Sequence, residues 1–581
     1  MAEPALRSVA SPRIVYKLPP ASHASRPALH LAALARHGAP RFAMPSVFGL
    51  RFARRATYLA IAAASPLAAF LPAASLAAQG RPAKGAQPAS AAIDTRAALA
   101  DLDRYIPKAL ADWNGAGVAV GIVWNDSLIY AKGFGVREVG KPETVDDRTV
   151  FAIGSNSKFF TAVAAGMLAD DGKLTLDDKV TKHLPWFQLY DPWVTREITL
   201  RDVMSHRSGL GRRGDNLWYG TPYSRDEVIR RVRYLVPNSS FRTEFGYQNI
   251  MFLTAGQVVA AAAGTSWDDV IRQRIFQPLG MTSSNTSVTQ LAGMPNVAQP
   301  HNLDPADARP TPIPYLNIDN VAPAGSINSN VQDMARWLRF ILANGKANGQ
   351  QLLKTLTLAD LETPHTIAGR VVGDTINPTR HFSTYGLGIG ISDLHGAKVL
   401  QHTGGIDGML SFVAMVPERG LGIVVLTNVA GHNALYTALG TRILNTFLGG
   451  PTRDWSSMSL EQAKKGEQAA ADAARKRWDA RVQGTSPSRP LAEYAATYRN
   501  QMYGDLTVAL EDGALILRYP KAITLKLTHF NYDTFLGAAP TAGPLTAEGL
   551  TVRFSLDASG KVASVNVEGI DEFRKVNGAA R

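Results

Sequence analysis

The placement of strand and helix patterns constrains the fold of this chain more than any other feature of its sequence. β-Branched and apolar residues fill GVAVGIVW and LIYAKGFG, on either side of a turn at Asn125, Asp126 and Ser127. Three further runs, KVLQHTGG, MLSFVAMVP and LGIVVLTN, follow one another between residues 397 and 428. Helical periodicity dominates between these two groups. We therefore predict one α+β unit whose two ends contribute strands to the same antiparallel sheet.

Beyond residue 450 the pattern changes twice. Residues 451–490 are charged and rich in alanine, and they end in the helix-breaking run GTSPSRP, which predicts a helical linker. Residues 491–581 contain short alternating segments separated by Gly, Asp and Pro, among them LTVALED, ALILRYP, TLKLTHF, LTVRFSLD and VASVNVEG. This second pattern predicts a small all-β domain, either a barrel or a sandwich.

Residues 1–78 have the layout of a leader with an export signal. An uncharged stretch, residues 56–80, follows three arginines and ends in small residues. Two prolines within it weaken its drive to remain as a membrane anchor, so membrane contact is expected only through an uncleaved leader. Met44 would provide a normal start for such a signal, and a flexible linker is expected over residues 79–94. The protein is accordingly predicted to be exported, either periplasmic or extracellular.

Charge and composition exclude several classes of function. The formal net charge is +13, but residues 1–92 hold 11 Lys and Arg against one acid, Glu3, which leaves only +3 for residues 93–581. The folded part therefore lacks the basic excess of a nucleic-acid-binding protein. Because the chain has no Cys, disulfides, thiol catalysis and cysteine zinc sites are excluded.

Ser155 and Lys158 form an S-x-x-K pattern at the start of an apolar helix, in FAIGSNSKFFTAVAAGMLADDG. A helix start offers free backbone N–H groups, which suit a serine whose acyl adduct must carry an oxyanion. Three residues of separation put both side chains on one face, so a desolvated lysine can activate the hydroxyl. The alternative is structural, with Ser155 as an N-cap and Lys158 solvated.

Two more elements hold residues of catalytic type. Tyr247 and Asn249 stand before the apolar helix NIMFLTAGQVVAAAAG, and QHTGGIDG places His402, Thr403 and Gly404 at the end of a predicted strand. Glycines at that place let a substrate backbone lie close to the strand. Taken alone, a Tyr-x-Asn and a strand histidine are more often structural.

Together and in this order, GSNSK, YQN and HTG resemble the motifs of the penicillin-recognising serine hydrolases. These comprise class C β-lactamases, D,D-peptidases, D-aminopeptidases and related esterases. The resemblance covers residues 95–450 and is supported by ITLRDVMSHRSGL and VAPAGSINSNVQDMARWL. It implies a β-lactamase/transpeptidase-like fold, an antiparallel sheet flanked by helices with a mostly helical subdomain. From residue 491 the chain resembles the small β-rich domain often appended to such proteins.

The resemblance also implies catalytic roles. Ser155 would attack a carbonyl and form an acyl-enzyme, and Lys158 would accept or relay its proton. Tyr247 would act as partner base and acid, which requires positive charge nearby, from Lys158 or His402, because a phenol titrates near pH 10. The oxyanion hole would consist of the backbone N–H groups of Ser155 and Gly405.

The remaining residues of the motifs are expected to bind substrate: Asn249, His402, Thr403 and Gly404. His402 stands where β-lactamases usually carry Lys, and a neutral imidazole is a poor substitute for a fixed cation beside a substrate carboxylate. The sequence thus favours amide, ester or D-amino-acid peptide substrates over efficient β-lactam hydrolysis. No metal or cofactor is required, and the predicted partner is a small-molecule or peptide substrate.

Alternatives from other classes remain open at this point. A catalytically silent protein could use the same fold to hold peptidoglycan peptides or a partner, and the C-terminal domain could itself capture a ligand. No expected catalytic side chain is missing, which favours the enzyme. An α/β-hydrolase is disfavoured because the sequence has no G-x-S-x-G elbow. No oligomeric state follows from the sequence.

Overall fold

The computed structural model describes residues 93–576, apart from 213, 305–306, 372–377, 432, 520–522 and 540–548. These residues belong to one compact unit. The export signal predicted within residues 1–78, the start at Met44 and most of the linker predicted over residues 79–94 lie outside the described residues.

The part of the chain before residue 450 combines helices with a large sheet. Its strands are β1 (Gly117–Trp124), β2 (Ser127–Gly135), β3 (Phe151–Ala152), β4 (His301–Leu303), β5 (Pro310–Pro312), β6 (Asn328–Ser329), β7 (Lys346–Ala347), β8 (Gln350–Gln351), β9 (Thr366–Gly369), β10 (Ser383–Tyr385), β11 (Gly390–Leu394), β12 (Ala397–Ile406), β13 (Met409–Val416) and β14 (Leu421–Thr427). Its helices are α1 (Thr95–Asp112), α2 (Ser157–Asp170), α3 (Val180–His183), α4 (Pro192–Glu197), α5 (Leu200–Met204), α6 (Arg225–Arg231), α7 (Asn249–Ala263), α8 (Trp267–Ile271), α9 (Gln277–Leu279), α10 (Ala322–Gly325), α11 (Val331–Leu342), α12 (Thr355–Leu361) and α13 (Leu435–Phe447).

Among the described residues, the large sheet has eight antiparallel strands in the order β2-β1-β14-β13-β12-β11-β10-β9. β1, near the start of the unit, pairs with β14, near its end, with Val118 opposite Thr427. The predicted hairpin, the three successive C-terminal strands and their shared sheet are all confirmed. Sequence patterns did not reveal β9, β10 and β11, which extend the sheet at one edge.

Both faces of this sheet are covered. Alternate residues of β1, such as Val120 and Ile122, join an apolar cluster with α1 and α13, whereas Ala119 and Val123 join the cluster that contains α2, α7 and α11. Because helices cover both faces, the central strands are apolar at nearly every position instead of alternating. The catalytic candidates lie where α2, α7 and β12 meet.

The C-terminal part begins with a long helix, α14 (Trp455–Asp479), followed by the short α15 (Leu491–Tyr494). Eight antiparallel strands then close into a barrel. They are β15 (Ala496–Asn500), β16 (Gly504–Glu511), β17 (Ala514–Tyr519), β18 (Ile523–Asn531), β19 (Thr534–Ala538), β20 (Leu550–Leu556), β21 (Val562–Val567) and β22 (Glu572–Lys575). The prediction of an all-β domain is confirmed, and of its two forms the barrel is the one observed.

Aromatic side chains fill the interior of the barrel. Tyr494, Phe535 and Phe554 contact one another edge to face, and Tyr503, Tyr519 and Phe573 form a second group. The described barrel therefore has an interior packed with side chains.

Within the described ranges, no single helix is both long and apolar enough to cross a membrane, and one pair, Asn249–Ala263 with Trp267–Leu279, passes that test only jointly and is bent by 77°.

Candidate active site

Ser155 lies in a short 3₁₀ turn, Gly154–Asn156, that leads directly into α2. The sequence placed this serine in the first α-helical turn, and the observed turn is tighter. Gly154 has a φ of +53°, which an L side chain rarely adopts. From Phe151 to Phe160 every residue is buried except Ser155, which is partly exposed. The hydroxyl is therefore the reactive group that this segment offers to solvent.

Lys158 is fully buried, one turn along α2. Its Nζ lies 2.9 Å from Ser155 Oγ, 2.7 Å from Asn249 Oδ1 and 2.8 Å from the Ala324 carbonyl oxygen. The alternative of a solvated lysine is wrong. Burial lowers the pKa of Lys158 far below that of a solvated lysine, because the ammonium form loses its hydration there.

Tyr247 lies beside the same pair. Lys158 Nζ is 4.8 Å from the centre of the Tyr247 ring, and the Ser155 hydroxyl is near enough to the phenol to act on its pKa. Burial raises the pKa of Tyr247, so the phenol is protonated in the resting site. The sequence-based expectation of a phenol with a lowered pKa is not met in this state.

His206, which sequence analysis did not single out, holds Tyr247 in place. Its ring lies 4.3 Å from the Tyr247 ring, and its Nδ1 accepts the backbone N–H of Gln248 at 3.1 Å. Burial lowers the pKa of His206 well below its usual value, so the ring is neutral. The string ITLRDVMSHRSGL, which contains His206, supports the family resemblance but does not mark this histidine as functional.

Asn249 begins α7 and connects Lys158 to a buried acid. Its Oδ1 accepts a hydrogen bond from Lys158, while its Nδ2 donates to Asp215 Oδ2 at 2.7 Å. The backbone N–H of Asn249 also donates to the Asp215 carboxylate. Asp215 is 7% exposed, and burial raises its pKa. These contacts fix the Asn249 amide with its oxygen toward Lys158.

His402, on β12, is engaged by the protein at both ring nitrogens. Its Nε2 lies 2.9 Å from the Tyr385 hydroxyl and its Nδ1 lies 2.6 Å from the Thr403 carbonyl oxygen, so Nδ1 donates and Nε2 accepts. Burial, with a smaller contribution from the Lys158 charge, lowers the pKa of His402 to about 3. The expectation that His402 supplies positive charge to Tyr247 is therefore wrong, because its ring is neutral.

The glycines of the third motif bring β12 against the turn that carries Ser155. A side chain at Gly404 would overlap the Ile153 carbonyl oxygen, and one at Gly154 would lie 2.6 Å from the Gly405 amide nitrogen. The Gly405 amide nitrogen thus lies against the Gly154 backbone, one residue before Ser155, and its role in an oxyanion hole stays a prediction. Thr403 and Gly405 are exposed on the same rim.

Arg212 places an exposed cation beside Tyr247. Its guanidinium carbon is 4.8 Å from the centre of the Tyr247 ring, and within the described part of the chain no acid pairs with it. Its charge further lowers the pKa of Lys158. Neither Arg212 nor Asp215 belongs to a recognisable motif, and no sequence signal pointed to them.

The structure therefore brings together Ser155, Lys158, Tyr247 and Asn249, with His402, Thr403, Gly404 and Gly405 along one side. The arrangement can hold a hydroxyl against a neutral amine and a protonated phenol, next to two backbone amides. The individual catalytic roles stay predictions.

Two protein families match parts of this chain. Residues 102–446 match the Beta-lactamase family, and residues 480–578 match a domain of unknown function, DUF3471. The chain is 27% identical over 437 residues to Unguisins hydrolase ungD' of Aspergillus campestris, covering 71% of this chain and 78% of that protein.

A second relative is penicillin-binding protein 4 of Amycolatopsis lactamdurans, 28% identical over 341 residues, or 58% of this chain and 86% of that one. Among solved structures, the octameric penicillin-binding protein homologue from Pyrococcus abyssi aligns with a TM-score of 0.53 at 20% identity, covering 82% of this chain and 99% of that one.

Proposed function

The chain belongs to the beta-lactamase family, and from that premise we propose that it hydrolyses its substrate through an acyl-enzyme formed on Ser155. The observation that carries the proposal is the position of Lys158, fully buried with Nζ 2.9 Å from Ser155 Oγ. A buried lysine without a paired carboxylate in direct contact loses its proton easily.

Acylation begins with Lys158 as a neutral amine. Two N–H groups donate to Asn249 Oδ1 and the Ala324 carbonyl, which leaves the nitrogen lone pair directed at the Ser155 hydroxyl. The proton of Ser155 passes to Lys158 as the bond from Oγ to the substrate carbonyl carbon forms. The backbone N–H groups of Ser155 and Gly405 stabilise the oxyanion, each such donor contributing roughly 10²- to 10³-fold in rate.

Tyr247 serves the leaving group. Because burial raises its pKa, the phenol holds its proton until the carbon–nitrogen or carbon–oxygen bond breaks, and it then donates that proton to the departing atom. The proton held by Lys158 restores the phenol. In deacylation, a water molecule attacks the carbonyl carbon of the acyl-enzyme ester and gives its proton to Lys158 or Tyr247. A proton from these two residues returns to Ser155 Oγ as the ester bond breaks.

The proposed substrates are amides, esters or D-amino-acid peptides, with weak β-lactamase activity at most. A neutral His402 offers no fixed positive charge for a substrate carboxylate. The relatives support a broad range, since one is named as a hydrolase of unguisins and another as a penicillin-binding protein. A small-molecule or peptide partner and an exported, periplasmic or extracellular location complete the proposal, the location resting on the leader sequence alone.

Covalent labelling tests the proposal. Wild-type protein, Ser155→Ala and Ser392→Ala are treated with a fluorescent penicillin and with an activated ester, and the labelled fraction is read on a denaturing gel. Ser392 is a buried serine on β11, opposite Val399 of β12 and outside the three motifs, so its variant should label like wild type. An adduct that survives Ser155→Ala would remove this nucleophile, and the absence of any adduct on wild type would favour the silent binding protein.

A further inference from the structure

Two of the three residues in the turn between β15 and β16, residues 501–503, are buried, although the turn joins two strands at the end of the barrel. Met502 is 2% exposed and Tyr503 is 1% exposed. Turns of this kind normally face solvent. Here the turn is covered by α6 and the loop before it.

Backbone carbonyls of the turn accept hydrogen bonds from two side chains of the hydrolase part, which is the part of the chain before residue 450. Arg231, at the end of α6, donates to the carbonyls of Gln501 at 3.2 Å and Met502 at 3.0 Å. The Tyr223 hydroxyl donates to the carbonyl of Tyr503 at 3.1 Å. The guanidinium of Arg231 also stacks on the Tyr223 ring at 4.1 Å.

The same turn reaches the segment 214–216, which carries the buried acid of the active site. A Cβ on Gly214 would lie 2.7 Å from Met502 Cε, so the methionine packs directly on the Gly214 backbone. On the other side of Asp215, the Tyr503 hydroxyl donates to Asn216 Oδ1 at 3.3 Å. Barrel contacts thus bracket Asp215 at the residues before and after it.

Asp215 in turn determines how Asn249 faces Lys158. With its Nδ2 and its backbone N–H both bound to the carboxylate, Asn249 can present only Oδ1 to Lys158. If segment 214–216 moves, the Asn249 amide is free to rotate. Its Nδ2 group would then face Lys158 in place of Oδ1, and N–H donors would meet N–H donors. A displacement of about 1 Å in a group that positions a catalytic residue costs on the order of 10²-fold in rate.

We propose that the C-terminal barrel is a working part of the active site: its turn 501–503 holds segment 214–216, and so keeps Asp215 on Asn249 and Asn249 on Lys158. This inference rests on the proposed function. Met502, Tyr503 and Asp215 are positioning residues, because none of them touches the reacting atoms. The packed aromatic interior agrees with this role, since it leaves the barrel its turns and outer surface to act with.

The test compares the full-length variants Met502→Ala and Tyr503→Phe with Tyr498→Phe. Tyr498 is a fully buried barrel tyrosine whose hydroxyl donates to the Tyr494 carbonyl at 2.7 Å, so its loss weakens the barrel without touching segment 214–216. We expect Met502→Ala to lower the rate of Ser155 acylation about 10-fold or more, with kcat falling while KM changes little. Tyr503→Phe should lower it less, and Met502→Leu should restore most of the rate.

Thermal unfolding of each variant separates positioning from folding. Equal acylation rates in Met502→Ala and Tyr498→Phe at matched stability would overturn the inference, as would a failure of Met502→Leu to recover activity when it folds like wild type. Either result, obtained with wild type that still labels at Ser155, leaves the proposed function intact. No labelling of wild type would instead remove the proposed function, and the inference with it.

Discussion

At the scale of single residues, the site is organised around the charge state of Lys158. Besides its burial, two opposing charges act on it: Asp215 raises its pKa and Arg212 lowers it. The other titratable groups around it, His206, His402 and Tyr247, are neutral because of their own burial. Since the neutral amine is the proposed base, activity should rise with pH as Lys158 loses its proton, well below the pKa of a solvated lysine.

Asp215→Asn should move the acidic limb of the kcat/KM profile to lower pH. Removing the negative charge takes away the interaction that raises the pKa of Lys158, so the amine is neutral at lower pH. The plateau rate should fall about 10-fold or more, because one donor of Asn249 loses its acceptor. The measurement is kcat/KM on an activated ester from pH 5 to 9, and a limb displaced to higher pH would contradict this account.

Arg212→Gln should move the same limb in the opposite direction. Arg212 lowers the pKa of Lys158, so its removal leaves the ammonium form more stable and the limb lies at higher pH. Arg212 is exposed, so solvent screens the effect and the shift should be smaller than that of Asp215→Asn. The same ester assay, repeated at low and high salt, checks this. If the acidic limb moves in the same direction in Asp215→Asn and Arg212→Gln, Lys158 is not the group whose titration produces it.

The sequence could indicate the motif residues but not their supports. Ser155 and Lys158 are one helical turn apart, so their spacing alone predicts contact. Asp215 lies 34 residues before Asn249, and only the folding of its loop brings the two together. The neutral state of His402 could be expected from its residue type, but its hydrogen-bond partner Tyr385, on a strand that the sequence did not reveal, could not.

At the scale of elements, β12 reaches the Ser155 turn only because glycine occupies its crossing point. Gly404→Ala should destabilise the protein by about 1–3 kcal/mol, since the added methyl group meets the Ile153 carbonyl oxygen and the Ser411 hydroxyl. Gly405→Ala is the matched control, because its methyl group would meet only Leu410 Cδ2 at 3.3 Å. Denaturant unfolding measures both variants, and equal stabilities would show that the strand can shift without cost.

Two exposed glycines at helices offer a second prediction at this scale. Gly466 lies inside α14 with open space around it, so Gly466→Ala should stabilise the protein by about 0.5–1 kcal/mol. Gly264 is equally uncrowded but caps α7 with a φ of +70°, so Gly264→Ala should destabilise it by about 1 kcal/mol. Shifts of the unfolding midpoint with the same sign would contradict the conformational argument.

Element prediction from sequence succeeded where patterns were long. The hairpin of β1 and β2 followed from β-branched runs around a turn and the long α14 from a charged, alanine-rich composition, whereas β15, β19 and β22 are too short to stand out. Closure of the barrel depends on the pairing of β15 with β22, with Tyr498 opposite Lys575. Because β15 and β22 are the first and last strands of the barrel, their pairing leaves no signal in the local sequence. The sequence alone therefore could not distinguish a barrel from a sandwich.

At the scale of the whole molecule, the barrel and the hydrolase part form one compact unit, and a single apolar cluster contains buried residues of both. The nine Trp residues all lie before residue 479, whereas the barrel strands contribute only Tyr and Phe. Trp fluorescence therefore follows the hydrolase part and α14, while far-UV circular dichroism follows both parts. In the wild type the two unfolding transitions should coincide, because the docked turn couples the parts.

Arg231→Ala should separate these transitions. The variant loses two hydrogen bonds to the barrel turn and the stacking on Tyr223, so the barrel can unfold before the hydrolase part. Arg518→Ala is the matched control, since it removes an arginine whose side-chain hydrogen bonds go to the exposed Glu511 within the barrel. Coincident transitions in Arg231→Ala, or a separation of the same size in Arg518→Ala, would mean that the turn does not couple the two parts.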